Sequence, residues 1–157
     1  MKNPFATFTS LLLVACFGVI AATEVSRCYN QEVPLPDVVA IENCDKSPCT
    51  FYINYESRMS INFRAPRYLE HIAPRAQAVV MGLNLSYPLG QDDACDGVTN
   101  TPCPLAKGEY IEYSYGMLVL DIFPEVGLNL EFSLLDNDQG GQAFVCFNVD
   151  LQLVKKN

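Results

Sequence analysis

From about residue 38 to the end of the chain, apolar and polar side chains alternate with a period of two, and helical periodicity is nearly absent. Successive side chains of a strand point to opposite faces, so the pattern predicts strands with one face on a core and the other in water. Phe51, Ile53 and Tyr55 alternate with Thr50, Tyr52 and Asn54, and Met59, Ile61, Phe63 and Ala65 alternate with Ser60, Asn62 and Arg64. Those two segments are expected to be neighbouring antiparallel strands. Val79, Met81, Leu83 and Leu85 predict a third apolar face, and Tyr113, Tyr115, Met117 and Val119 a fourth. Leu128, Leu130, Phe132 and Leu134 give the cleanest alternation, and Val145, Phe147, Val149, Leu151 and Leu153 close the series. A short strand over Val38 to Glu42 brings the expected number to seven, which suits an all-β, immunoglobulin-like sandwich of two antiparallel sheets. Pro66 to Ala76, interrupted by Pro66 and Pro74, is expected to be a loop crossing between the sheets with at most one helical turn.

The start of the chain follows a different rule. Lys2 precedes an apolar run from Leu11 to Ile20, and small residues Ala21, Ala22 and Thr23 follow. This is the layout of a secretory signal peptide, and the run is shorter than the roughly 20 apolar residues a spanning helix needs. The expected division is a signal peptide over 1–22 and one domain over 23–157, secreted and extracellular. Loss of Lys2 leaves 9 basic residues against 18 acidic ones, so the net charge moves from −8 to −9. A protein of that sign is not expected to bind nucleic acid.

An oxidising compartment gives the cysteines their meaning. Cys16 lies in the signal segment, and six remain: Cys28, Cys44, Cys49, Cys95, Cys103 and Cys146. Six cysteines allow 15 connectivities, and spacing alone does not choose among them. Two close pairs, Cys44 with Cys49 and Cys95 with Cys103, suggest local loops because turn-forming residues lie between them. Cys28 and Cys146 would then be left to join the first and last strands. A zinc site built from the same thiols is the rival, disfavoured by oxidation and by the position of the lone His71 away from any cysteine pair.

Other candidate chemistry is thin. His71 is the only histidine, and no nucleophile-elbow motif accompanies it, so catalysis is not expected. Asp136-Asn137-Asp138-Gln139-Gly140 imitates the start of a calcium loop, but the position for the closing glutamate is Phe147. A polar hairpin turn is expected there instead. Neither a metal nor another cofactor is expected. Asn84-Leu85-Ser86 is an N-glycosylation sequon on the polar face of its segment.

Several stretches carry a family resemblance: Cys44 to Cys49 with Pro48, Ala78-Val79-Val80-Met81-Gly82, Tyr87-Pro88, Asp93-Ala94-Cys95, Cys103-Pro104-Leu105, Phe123-Pro124 and the Leu134 to Cys146 hairpin. Across essentially the whole mature chain, this sequence resembles the ML lipid-recognition family. Within it, the resemblance is to the secreted sterol carriers related to the second Niemann-Pick type C protein and to the group 2 mite allergens. The resemblance implies two antiparallel sheets, the pairings Cys28–Cys146, Cys44–Cys49 and Cys95–Cys103, and an apolar ligand between the sheets. It places Tyr87, Val119 and Phe123 at the mouth of the cavity. Further lining is expected from the inward residues Tyr113, Tyr115, Met117, Met81, Phe63, Phe132 and Phe147.

The implied function is a monomeric, non-catalytic carrier of a sterol, fatty acid or similar small apolar lipid, in transient contact with a membrane or receptor. Lysosomal targeting is an open alternative to simple secretion. The rival reading is an immune recognition protein that presents a microbial glycolipid to a receptor. A basic rim would suit that rival, whereas this chain places Asp92, Asp93 and Asp96 around Cys95, where the sterol carriers have a basic residue. Further departures are Phe132 and Phe147 at positions often held by Trp, and extra length between Arg64 and Ala78, expected to be a lid or a longer loop.

Overall fold

The protein's computed structural model describes residues 21–29 and 32–156. Apart from Ala21 and Ala22, the expected signal segment lies outside them. Eight strands form in chain order: β1 (Val38–Ile41), β2 (Cys49–Tyr52), β3 (Glu56–Arg64), β4 (Ile72–Val80), β5 (Leu83–Tyr87), β6 (Tyr110–Leu118), β7 (Gly127–Asp136) and β8 (Gln142–Val154). They make one sheet in the order β1-β3-β6 and another in the order β2-β8-β7-β4-β5. The period-two alternation makes each sheet one-sided. Met59, Ile61 and Phe63 of β3 and Tyr113, Tyr115 and Met117 of β6 are buried against Leu130, Phe132 and Leu134 of β7 and Val145, Phe147, Val149 and Leu151 of β8.

β8 is buried on both faces over its first half. Cys146 and Asn148 would face water in a bare sandwich, but both are buried, while Phe144, at the β7–β8 register shift, packs on Phe63. The segment ahead of Cys28 covers the first two: Ser26 and Asn148 exchange backbone hydrogen bonds of 2.9 and 2.8 Å, and Cys28 is bonded to Cys146. Thr23 belongs to the same fold, with its amide donating to the Val39 carbonyl at 2.7 Å and its buried hydroxyl to the Cys44 carbonyl at 2.5 Å. The other disulfides are Cys44–Cys49 and Cys95–Cys103. All six thiols are therefore consumed in pairs, and a zinc site built from them is ruled out.

Three expectations are corrected. Pro66 to Ala76 is not one loop, because β4 begins at Ile72 and pairs with β7 from Ile72↔Asp136 to Val79↔Asn129. Pro74 obscured the strand, yet it is tolerated because β5 covers only Ala76 to Val80, leaving an open edge where a missing N–H costs no ladder bond. Secondly, β2 and β3 are not neighbours. β2 runs parallel to β8, with Cys49↔Leu151 and Tyr52↔Val154 in register, while β3 lies between β1 and β6. The chain leaves one sheet for the other at Asn54, in the left-handed region at φ 67°. Finally, the third apolar face is out of phase: Ala76 and Ala78 are the buried positions of β4 in place of Val79, Leu83 and Leu85 are exposed, and Met81 is not an inward residue. With Gly82 it makes the turn between β4 and β5, φ 51° and 80°, and it is 97% exposed.

At one end of the sandwich, the connections at 65–71 and 93–109 fold over the core. Leu69 and Leu105 exchange backbone hydrogen bonds of 3.0 and 2.8 Å, and both side chains are essentially sealed from water. Beside them, Arg67 Nε donates to the buried Asp136 carboxylate at 2.7 Å. Asp136 to Gly140 is a polar hairpin turn, with Asp136 accepting from the Asp138 amide at 3.0 Å and Gly140 in the left-handed region. The opposite end carries the connections at 53–55, 81–82 and 119–126 and the C-terminal residues that follow β8.

Candidate functional site

β5 is the last strand of the wider sheet and β6 the last of the narrower one, on the same side of the sandwich. No backbone ladder joins them, so a seam between the sheets opens there. Three tyrosine hydroxyls lace it. Tyr87 on β5 donates across the seam to the Leu118 carbonyl. From β6, Tyr115 donates to the Leu89 carbonyl and Tyr113 to the Gln91 side chain, the latter at 2.8 Å. Burial pushes the Tyr115 phenol up to about 12, with the neighbouring Tyr87 and Glu56 adding to the shift. Burial likewise raises Tyr113 and Tyr87. All three hydroxyls therefore keep their protons, and their donor role, at any ordinary pH.

Behind the seam, at the more open end of the sandwich, lies a slot with no polar atoms exposed on its walls. Phe51, Leu151 and Leu153 from β2 and β8, with Leu128 and Leu130 from β7 and Ala78 from β4, line one wall. Met117 and Val119 line the other, and the rings of Tyr87 and Phe123 stand at the mouth with their centroids 5.5 Å apart. Val119 lies one residue beyond β6, held by its amide donating to the Tyr55 carbonyl at 3.2 Å and its carbonyl accepting from the Asn54 amide at 2.7 Å. The slot holds about 30 Å³ of free space, roughly the share of one water molecule. A drug-sized apolar guest occupies a site of about 300 Å³ or more, so its admission requires the walls to part. Larger clefts exist elsewhere, one of about 490 Å³ between Glu32 and Phe144 and one of about 310 Å³ beside Glu42 and Arg58. Both are shallow surface features with charged residues in their walls.

The structure brings together four of the expected site residues: Tyr87, Val119, Phe123 and Met117. Tyr113, Tyr115, Phe132 and Phe147 lie deeper and form a continuous aromatic stack, with Phe132 centroids 5.7 to 6.3 Å from the other three. Phe63 is remote from the mouth, packed on Phe144 at 5.7 Å toward the closed end. Met81, on its exposed turn, lines nothing. The sequence reading missed Phe51, Ala78, Leu128, Leu130, Leu151 and Leu153. All but Ala78 were legible as inward positions, but alternation does not say which inward residues face a gap and which face each other. Asn84 is exposed on β5, one residue out of phase with Leu83, Leu85 and Tyr87 and so on the sheet's other face. His71 lines no part of the slot, and its Nδ1 lies 2.9 Å from the Asp138 carboxylate in an exposed pair.

This apolar slot sits behind an aromatic mouth in a sandwich carrying the three expected disulfides, and the ML domain model matches residues 22–153. The chain belongs to the ML domain family. Among curated proteins it is similar to the NPC intracellular cholesterol transporter 2 homolog a of Drosophila melanogaster, 27% identical over 90% of this chain and 96% of that protein. It is also similar to the NPC intracellular cholesterol transporter 2 of Bos taurus, at 20% identity over 95% and 97% of the two chains. Among solved ML structures, a Niemann-Pick type C2 protein from the Japanese carpenter ant superposes with a TM-score of 0.72. That match, at 20% identity, spans 83% of this chain and 99% of the ant protein, which establishes the shared fold.

Proposed function

We propose that this ML domain is a secreted, non-catalytic carrier that takes a sterol, fatty acid or similar apolar lipid into the slot through the β5–β6 seam. The observation that carries the reading is the wholly apolar slot between the sheets, reached past Tyr87 and Phe123. The names of its relatives, cholesterol transporters, point the same way. Burying a dozen methylenes contributes on the order of 10 kcal/mol gross at about 0.8 each. Ordering and sheet-opening costs offset part of that, leaving room for micromolar or tighter binding. Met117, with a flexible thioether at the wall, lets the slot adapt to guests of different outline. Secretion with cleavage after Ala22 fits the fold, because it keeps the buried hydroxyl of Thr23 and its bond to Cys44. Glycosylation at Asn84 is compatible with binding, since that side chain projects away from the slot.

The test is native mass spectrometry of the secreted protein, followed by displacement of bound lipid with a fluorescent sterol and a fluorescent fatty acid. One displaceable lipid per chain, weakened at least about tenfold by Val119→Trp, is the expected result. Absence of binding by every lipid class, with three disulfides intact, refutes the carrier reading.

A further inference from the structure

Beside the slot, on the outer surface at its open end, two exposed tyrosines hold a cation. Lys156 Nζ sits over the ring of Tyr55 at 4.7 Å and over that of Tyr52 at 5.6 Å from the centroids. The two rings meet nearly edge to face, 6.3 Å apart at 74°. They thus form a corner that receives one positive charge on two π-faces, the arrangement that selects quaternary ammonium groups. A cleft of about 540 Å³ opens there, lined by Tyr55, Asp121, Lys155 and Lys156 among others. With Tyr52 beside it, it offers aromatic faces and a carboxylate for a cation, and two ammonium groups for an anion. The cleft neighbours the slot across one backbone ladder, because Val119, a slot residue, exchanges backbone hydrogen bonds with Tyr55 and Asn54, which line the cleft.

We infer that this cleft is a phosphocholine site. The trimethylammonium group displaces Lys156 from the tyrosine corner and faces Asp121, and the phosphate takes the two lysines. A methylated ammonium is the better occupant of the corner because it sheds water more easily than the strongly hydrated lysine ammonium. Lys156 is the internal competitor, and on release it becomes a partner for the phosphate. If the slot takes the chain of the same molecule, the preferred cargo is a single-chain choline lipid. That last step rests on the carrier reading, whereas the phosphocholine site does not.

The test uses the secreted protein with tetramethylammonium, free phosphocholine, lysophosphatidylcholine below its micelle threshold, and the fatty acid of equal chain length. Binding is followed by calorimetry and by the tyrosine ring resonances. Tetramethylammonium is expected to shift the Tyr52 and Tyr55 rings, and Lys156→Gln to tighten its binding about threefold or more by removing the competitor. Tyr55→Leu is expected to weaken lysophosphatidylcholine about fivefold while leaving the fatty acid unchanged. Tyr52→Leu should repeat that contrast should the first variant fold poorly. Ring resonances indifferent to tetramethylammonium, or equal losses for both lipids in the tyrosine variants, overturn the inference. Ring shifts with phosphocholine but no binding of either lipid would uphold the site for free phosphocholine and refute the carrier reading alone. The two proposals therefore fail separately.

Discussion

The two ends of this sandwich are built from the same sheets and differ in what crosses between them. At the closed end, Phe63 and Phe144 pack together, Leu69 and Leu105 cap them, and the Cys95–Cys103 bond holds the covering connection. At the open end the connection at 119–126 brings, after Val119, only the partly buried Phe123 and Val126 against the core among the described residues, and the interior terminates in the slot behind Tyr87 and Phe123. The inward residues at both ends are apolar, so hydrophobicity alone does not distinguish them. The lesson is that a binding slot in this sandwich lies where the covering connection is thin, at 119–126, and not where the inward residues differ in kind.

Breaking the cap should produce the largest effect. Leu105→Ala removes a side chain with 0% exposure and should cost about 2–5 kcal/mol by denaturant unfolding, since the crowded surroundings cannot collapse onto the void. A loss below about 1 kcal/mol would mean that the closed end is as loosely filled as the open one. Replacing both Cys95 and Cys103 with serine comes next. Their 8-residue separation predicts roughly 2–3 kcal/mol in the chain-entropy model, with lipid binding retained because the slot lies at the other end. Loss of binding without unfolding would show that the ends are coupled.

Adding volume sharpens the contrast from the other side. Ala78→Leu grows into the slot, where its three added carbons exceed the free space of about 30 Å³, so it should cost about 1 kcal/mol, the low end of the roughly 1–3 kcal/mol that overfilling a solid core costs. It should also weaken lipid binding about tenfold, read by displacement of a fluorescent fatty acid.

The smallest effect belongs to the exposed His71–Asp138 pair at the closed end. The hydrogen bond and charge of Asp138 raise the His71 pKa above its ordinary 6.5, and His71 holds that of Asp138 below its ordinary 3.8. The raised histidine stabilises the fold fully below about pH 6.5, and that share is lost as pH rises through the folded value. The lowered aspartate contributes above about pH 3.8 and is lost as pH falls through its folded value. The pair therefore helps most between those limits. Asp138→Asn should move the His71 titration, followed by proton resonance, down toward 6.5, with no change in lipid binding. An unmoved midpoint would show that the pair does not persist in solution.

Much of this fold could be read from alternation: the inward faces of β3, β6, β7 and β8 were assigned residue by residue and are the buried ones. The reading failed where the pattern continued through a change of sheet. Ile53 keeps the parity of Phe51, so alternation could not show that Asn54 carries the chain from β2 toward the other sheet. Met81 keeps the parity of Val79, yet the chain reverses there. β4 was hidden for another reason, since its inward residues include Ala76 and Ala78, which are small, and Pro74 stands among them. At the site, the aromatic–proline pairs marked Tyr87 and Phe123, while nothing local distinguished Leu130, which lines the slot, from Leu134, which does not.

By itself, the sequence determined which side chains of β3, β6, β7 and β8 face inward, how many strands could form to within one, and which cysteines were near enough in the chain to suggest local loops. Those properties are local, fixed by the two-residue repeat of an extended backbone and by short loops. The parallel β2–β8 pairing, the cover over one end, the tyrosine-laced seam and the corner formed by Tyr52 and Tyr55 were decided only by the tertiary structure. The first three depend on the separation between residues distant in the chain, and the corner, though its tyrosines are near neighbours, is filled by Lys156 from the far end of the chain. That separation follows from how two twisted sheets stack and from which connections span them, and the order of residues does not record it.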